Sequence, residues 1–370
     1  MDKYIYTLVL HALGDTIGFK NGEYEFNFGR SNVTLDMTLE LVFDFIHLGG
    51  INRIDLKNWI VSDDTLFQMA IAHALLISKN DPTNILENIK NDFITTYKKI
   101  KDENNIRFIG NTTGNYIKKM TDKTDARNSP YDENSGGNGC AMRTHSIGLA
   151  FHKNMDLLIN ISIESSRMTH NSPIGYLGGL TSALFTAYAI NKVDILEWGE
   201  KLVKLLDTKE IRKYIRNEYK NQEESDYDDF VKYWSTYLSM RFDDGVLITT
   251  KAQKNLLYRS RFYSENFTKN TRGKMIGDSG FSSVIMAYDC LLDAGDNWEK
   301  LVIYAGLHWG DTDTVLSIAS GWFGALYGKA DVPELNLKYL EYKREITELG
   351  EKLYNRFEKN EEIKIGKTFL

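Results

Sequence analysis

Val61-Ser62-Asp63-Asp64-Thr65-Leu66-Phe67-Gln68-Met69-Ala70-Ile71-Ala72-His73-Ala74-Leu75-Leu76-Ile77 sets a hydroxyl and two acids in front of a long apolar run. Leu66, Met69, Ala70, His73, Ala74 and Ile77 recur at three- and four-residue spacing, which predicts one buried stripe on a helix. Ser or Asp just before such a run is an N-cap signature, so Ser62 or Asp63 caps the helix and the other acid complements its dipole. Far along the chain the arrangement recurs. Gly310-Asp311-Thr312-Asp313-Thr314 precedes a run carrying Val315, Ile318, Ala319, Trp322, Ala325 and Leu326, with Gly328 placed as a C-terminal stop.

Working outward, helices are predicted over residues 2–13, 54–60, 84–101, 155–168, 174–190, 195–206, 228–240, 282–293, 297–307 and 338–357. Period-two alternation and internal repeats are absent from the pattern. The reading is an all-α fold, a multi-helix single domain over 1–370. Residues 20–35, 121–140 and 241–280 read as irregular, and 207–230 as a charged, solvated helix or connector. Gly175, Gly178, Gly179, Gly321 and Gly324 sit inside helical runs, where glycine costs stability; close helix–helix approach explains them.

Composition bounds the partners. The 370 residues carry a net charge of -6, with 42% hydrophobic and 26% charged residues, as in a soluble globular protein with a substantial core. Nucleic acid and anionic membrane both select a basic face and are not expected partners. Cys140 and Cys290 lack metal or redox spacing, which fits a reducing, cytoplasmic compartment. Only Lys3 precedes the apolar run Tyr4 to Leu13, and no small-residue cleavage site follows, so no signal peptide is expected. Ile174 to Ile190 is free of charge but short for a membrane span and diluted by Gly, Ser, Thr and Tyr; a buried core helix is expected.

Each acidic stretch alone is a helix cap. Together, four carboxylates with neighbouring hydroxyls make a hard-oxygen donor set that suits Mg²⁺ or Mn²⁺ and not zinc. On a continuous helix Asp311 and Asp313 would diverge by about 200°. They converge only if Asp311 lies in the turn before the helix, a turn that Gly310 permits. Should the two helix ends meet, the like charges repel unless cations lie between them. The residues leave paired caps and a shared metal site both open. Ser135-Gly136-Gly137-Asn138-Gly139 likewise reads either as a turn or as a loop whose backbone N–H groups approach phosphate or ribose.

Six segments in order resemble the ADP-ribosylglycohydrolase family and, within it, the ADP-ribosylarginine hydrolases. They are Gly14-Asp15-Thr16-Ile17-Gly18, Trp59-Ile60-Val61-Ser62-Asp63-Asp64-Thr65, Gly137-Asn138-Gly139-Cys140-Ala141-Met142-Arg143, Ser162-Ile163-Glu164-Ser165-Ser166-Arg167-Met168-Thr169-His170, Gly175-Tyr176-Leu177-Gly178 and Gly310-Asp311-Thr312-Asp313-Thr314. The resemblance implies a compact all-α domain holding two Mg²⁺ ions in a central cleft, with Mn²⁺ able to substitute. It implies Ser62, Asp63, Asp64, Asp311, Asp313 and Thr314 as metal ligands. Ser135, Gly136, Gly137, Asn138, Gly139 and His170 would bind substrate, and Glu25 would stand near the metals on a mobile N-terminal loop. Without the resemblance, His170 reads as a structural or capping histidine and Glu25 as an exposed loop acid.

The implied reaction is hydrolysis of the N-glycosidic bond between ADP-ribose and arginine side chains of mono-ADP-ribosylated proteins, through an oxocarbenium-like transition state. Asp63, Asp64, Asp313 and Glu25 form the implied catalytic set, with Asp63 the first and Asp313 the second candidate for general base. The alternatives are a serine-linked substrate, a catalytically silent ADP-ribose-binding protein and a two-metal phosphoesterase. A monomer is expected. Tyr131, Phe281 and Trp309 are candidates to stack on adenine. Arg143 and Arg167 pair with core acids or orient the acidic clusters, and Tyr288 reads as core packing. Residues 26–50 and 207–275 match the family poorly, and Trp309 stands where relatives often have glycine.

Overall fold

The computed structural model describes residues 1–25, 35–79, 81–120, 129–218, 224–248, 250, 252–268 and 275–359. Over these the chain is all-α, with one two-strand exception. In chain order the helices are α1 (Asp2–Phe19), α2 (Leu35–His47), α3 (Asp63–Ile77), α4 (Pro82–Asp102), α5 (Asn111–Lys119), α6 (His145–Phe151), α7 (Met155–Arg167), α8 (Pro173–Ile190) and α9 (Trp198–Leu206). They continue with α10 (Lys209–Glu218), α11 (Glu224–Arg241), α12 (Leu256–Phe267), α13 (Gly280–Ala294), α14 (Trp298–Gly306), α15 (Thr312–Tyr327), α16 (Glu334–Lys338) and α17 (Lys343–Leu353). The exception is the hairpin of β1 (Phe242–Asp243) and β2 (Val246–Leu247). Its turn is Asp244-Gly245, both at positive φ as a tight hairpin turn requires.

Several sequence expectations need correction. Residues 54–60 form turns. The Asn336 amide donates to the carbonyls of Ile51 and Ile54, Asp55 accepts from Lys57 N, and Asn58 has φ 69°. Those bonds occupy groups a helix would need. The expected helix over 338–357 is broken at Tyr342, which lies in the left-handed region (φ 55°) and caps α17. The stretch 241–280, read as irregular, holds α12, and α2 (Leu35–His47) was not among the expected helices.

The stripe expected on α3 is also wrong in part. His73 and Ile77 are exposed, whereas Phe67, Ile71, Ala72 and Leu75 are buried. A helix enclosed on most sides shows no single apolar stripe. Tyr288 is core, as expected, with its ring stacked on Trp198. No helix of the described residues is long and apolar enough to cross a membrane.

α1 and α15 run antiparallel through the centre. Near one end of the pair a side chain on Gly324 would meet the Tyr6 carbonyl at 2.1 Å; near the other, one on Gly18 would meet the Thr312 carbonyl at 2.5 Å and Asp313 Cα at 2.6 Å. Only glycine allows that approach. It brings the C-terminal end of α1 against the first turn of α15, so the expected close packing at inserted glycines has a functional consequence. Thr312 Oγ1 donates to the Gly18 carbonyl (2.7 Å) and locks the contact. α3 packs beside α1 and α4, with its own N-terminus at the same end.

Candidate active site

Ser62 is the cap of α3: its Oγ accepts from Asp64 N at 3.1 Å. Asp63 and Asp64 therefore occupy the first helical turn and are buried. Asp311 is the cap of α15. Its Oδ1 accepts from Thr314 N at 3.2 Å, and Asp313 Oδ1 accepts from the same N–H at 2.9 Å. Asp311 thus lies in the turn, and Asp313 in the helix, the arrangement that lets both face one place. Gly310 serves that turn differently from expectation. It is not among the positive-φ glycines; instead a Cβ there would sit 1.9 Å from the Ile276 carbonyl.

The two helix ends meet. Ser317 Oγ, one turn into α15, donates to Asp64 Oδ2 at 2.9 Å. Burial pushes the Asp63, Asp64 and Asp313 carboxyls well above their ordinary range, and mutual repulsion adds to it. Asp15 and Asp311 act on Asp63; Asp15, Asp63 and Asp311 on Asp64; Glu25, Asp311 and Asp64 on Asp313. Glu25 joins the cluster. Its carboxyl is raised first by burial, then by Asp311, Asp63 and Asp15, and its Oε2 is buried without a hydrogen-bond partner. An exposed loop acid is ruled out at this position. Residues 26–34 of the loop that follows, read above as mobile, lie outside the described residues.

Two further acids escaped the sequence reading. Asp15 on α1 accepts from Ser62 N (3.1 Å), Thr65 N (3.2 Å) and the Thr65 hydroxyl, binding the first turn of α3 to α1. Burial raises its carboxyl to about 6, against those hydrogen bonds. Asp278 precedes Ser279, the cap of α13, and burial followed by repulsion from Asp311 raises it to about 7. Gly277-Asp278-Ser279-Gly280, an acid between glycines before a capped helix, was the available signal. Across the cluster stands one buried cation, Arg143, whose guanidinium lies 4.4 Å from the Phe93 ring centroid and whose charge favours ionised Asp63.

The glycine-rich loop closes one wall. Ser135 Oγ donates to the Asp132 carbonyl (2.6 Å), Gly280 N donates to the Gly136 carbonyl (3.0 Å), and Gly137 bridges Ser279. Asn138 ties this loop to the acids: its amide donates to Asp311 Oδ2 (2.7 Å) and to the Gly277 carbonyl (2.8 Å). His170 lies beneath the loop. Its Cε1 would be 2.7 Å from a Cβ on Gly139, and it pairs with Thr169 Oγ1 at 2.8 Å. Burial, then Arg143, lowers it to about 3, so the ring is neutral. Of the candidate aromatics, Phe281 is buried in a parallel stack on Tyr233 (4.0 Å), Tyr131 donates to Asp226 (2.9 Å), and Trp309 is half-buried.

Asp15, Asp64, Asp311 and Asp313 each accept from a protein donor, whereas Glu25 Oε2 does not. Among the described residues, no group of three or more His, Cys, Asp or Glu side chains stands in metal-binding geometry. The donor chemistry nevertheless fits a hard cation: buried oxygens, repelling one another, with the Arg143 charge acting on Asp63.

A family model described as ADP-ribosylglycohydrolase matches residues 1–363. The chain belongs to the ADP-ribosylglycohydrolase family. It is a hydrolase of that family. A protein of Acanthamoeba polyphaga mimivirus named as an ADP-ribosyl glycohydrolase is 36% identical, over 92% of this chain and 68% of its own length. ADP-ribosylhydrolase ARH1 of Dictyostelium discoideum is 34% identical, over 94% and 92%. ADP-ribosylhydrolase ARH3 of Xenopus tropicalis is 27% identical, over 93% of each. The fold matches a solved ADP-ribosylglycohydrolase-related protein complex with a TM-score of 0.57 at 18% identity, over 96% of this chain and 97% of that one. Within this family fold, the meeting of two acidic helix ends is the feature to which a function attaches.

Proposed function

We propose that the chain removes ADP-ribose from arginine side chains of mono-ADP-ribosylated proteins by hydrolysing the N-glycosidic bond, with Mg²⁺ or Mn²⁺ as cofactor. The observation that carries this is the convergence of α3 and α15, tied by Ser317 to Asp64 at 2.9 Å. Ser62, Asp63, Asp64, Asp311, Asp313 and Thr314 would hold two divalent ions. Bound there, the ions would supply Lewis-acid stabilisation of ribose oxygens and a water of lowered pKa.

The chain's own groups supply the rest. The loop Ser135–Gly139 offers backbone N–H groups to ribose or diphosphate, and His170 supports it from below as a neutral ring. Asp63 is the first candidate to take a proton from the attacking water, with Asp313 the second. Glu25, with its unpartnered Oε2, faces the same acids and is placed to move a proton at that atom. The guanidine leaves protonated, since it is a strong base. The reading favours arginine because Met168-Thr169-His170 and Gly175-Tyr176-Leu177-Gly178, which resemble the arginine-specific branch, pack beneath the substrate loop; a side chain on Gly175 would meet the Ser135 carbonyl at 2.5 Å. We place the reaction in the cytoplasm, with the protein acting as a monomer.

The test uses arginine-linked and serine-linked ADP-ribosyl peptides, each with Mg²⁺ and with EDTA. Release from the arginine peptide in Mg²⁺ alone is expected. Release from the serine peptide alone would overturn the linkage, and EDTA-resistant release would overturn the metal. Asn138→Ala removes the tie between loop and cluster. It is expected to weaken ADP-ribose binding about 10-fold, the scale of a lost hydrogen bond to a charged group, as read by calorimetry.

A further inference from the structure

The stretch Val61–Asp63, which feeds the acids of α3, has nearly every backbone group held from outside. Glu341 Oε2 accepts from Val61 N at 2.9 Å. Arg107 Nη1 donates to the Val61 carbonyl at 2.8 Å, and the Arg107 carbonyl accepts from Asp63 N at 3.0 Å. Asp15 takes the intervening Ser62 N. Arg107 and Glu341 are themselves joined fork to fork, Nη1 to Oε2 and Nη2 to Oε1, both at 2.9 Å. That is a planar, bidentate pair, the ion-pair geometry that fixes orientation best.

The pair joins distant parts of the chain. Glu341 lies immediately before Tyr342, whose left-handed backbone starts α17. The Tyr342 ring lies 5.7 Å from the Arg107 guanidinium and accepts a hydrogen bond at its hydroxyl from Lys99 Nζ (3.0 Å). Arg107 is buried, and Glu103 Oε2 accepts from its Nε at 2.6 Å on the far side. A tie needed only to dock α17 has no reason to grip Val61 by both its N–H and its carbonyl. One that sets the register of the next two residues does.

We infer that the Arg107–Glu341 pair is a positioning clamp that places the Asp63 and Asp64 carboxylates for a divalent ion. The inference rests on the metal reading proposed above. Through Val61 and Asp63 the clamp sets where α3 begins and hence where its two acids point. The C-terminal segment thereby becomes part of the site while contributing no ligand. Loss of a group that orients a metal ligand weakens metal binding by about 10–100-fold.

The experiment titrates Mn²⁺ alone into the EDTA-stripped, desalted full chain at fixed temperature, following free Mn²⁺ by its paramagnetic resonance signal. Glu341→Ala is expected to raise the Mn²⁺ dissociation constant about 10-fold or more. Glu341→Gln keeps an acceptor for Val61 N and is expected to recover most of the affinity. Glu103→Ala removes only the far partner of Arg107 and is expected to bind as the parent does. Should Glu341→Ala not fold, Arg107→Lys replaces it under the same criterion, since lysine keeps the charge but cannot hold both Glu341 oxygens and Val61. Parent-like Mn²⁺ affinity in Glu341→Ala or Arg107→Lys, even with a lowered Tm, would reduce the pair to a structural tie and overturn the clamp. Absence of Mn²⁺ binding by the parent chain would overturn the metal reading instead.

Discussion

Asparagine in place of Asp64 or of Asp313 is expected to lower kcat/KM for arginine-linked ADP-ribose about 10³-fold, roughly 4 kcal/mol of transition-state stabilisation, while raising the Tm of the metal-free protein. Both effects have one cause. The site buries Asp63, Asp64, Asp311 and Asp313 with Glu25 and Asp15, and each of the first four is raised by burial; neighbouring carboxylates add to this at Asp63, Asp64 and Asp313, and local donors oppose it at Asp311. With no cation, the cluster opposes folding. Asparagine fills the same volume, removes one charge and retains an acceptor for the Ser317 hydroxyl on Asp64. The apo fold therefore gains from the change that destroys the donor set, a trade of stability for function. Peptide turnover in saturating Mg²⁺ and melting in EDTA are the two measurements. Retention of more than about a tenth of the parent activity would remove the acids from the proposed mechanism. A lowered Tm in EDTA would mean that the carboxylates are already compensated without metal.

How much of this was legible depends on the range of the interaction. The caps were legible because they are local: Ser62 and Asp311 each bond an N–H two or three residues on. The all-α class was legible because long apolar helices such as α8 and α15 carry it. That the two acidic ends meet was only a condition, since it depends on Gly18 lying against Thr312 almost the whole chain away. Asp15 was missed because its role is to accept from Ser62 and Thr65, which no spacing around residue 15 announces. Arg107 and Glu341 were invisible for the same reason. The false helix at 54–60 has a tertiary cause: the Asn336 side chain captures carbonyls that helical bonding would have used. Helix α12 failed the other way. Leu256–Phe267 mixes aromatics and charges without clean period, and its Arg259 is buried by partners on α13.

That last feature predicts the largest effect on stability. Arg241 and Arg259 each bridge Asp289 and Asp293, closing a ring of four charges: Arg241 Nε to Asp289 Oδ1 at 2.7 Å, Arg241 Nη2 to Asp293 Oδ1 at 2.8 Å, Arg259 Nη2 to Asp289 Oδ2 at 2.7 Å and Arg259 Nη1 to Asp293 Oδ2 at 2.5 Å. All four side chains are nearly inaccessible, and Tyr237 and Tyr263 hydroxyls donate to Asp289 as well. A buried network of this kind adds little over an apolar core, but removing one member strands the rest. Arg259→Ala leaves two buried carboxylates with one guanidinium and frees the Gln253 carbonyl that Arg259 had satisfied. A loss of about 3–5 kcal/mol is expected, measured by urea unfolding. The ring's ion pairs join α11, α12 and α13 and include none of the proposed metal ligands, so turnover per folded molecule is expected to persist at low temperature. Arg259→Lys, which restores one charge without the fork, is expected to recover only part of the loss. A cost below about 1 kcal/mol for Arg259→Ala would show that water reaches the stranded carboxylates, as at an exposed ion pair.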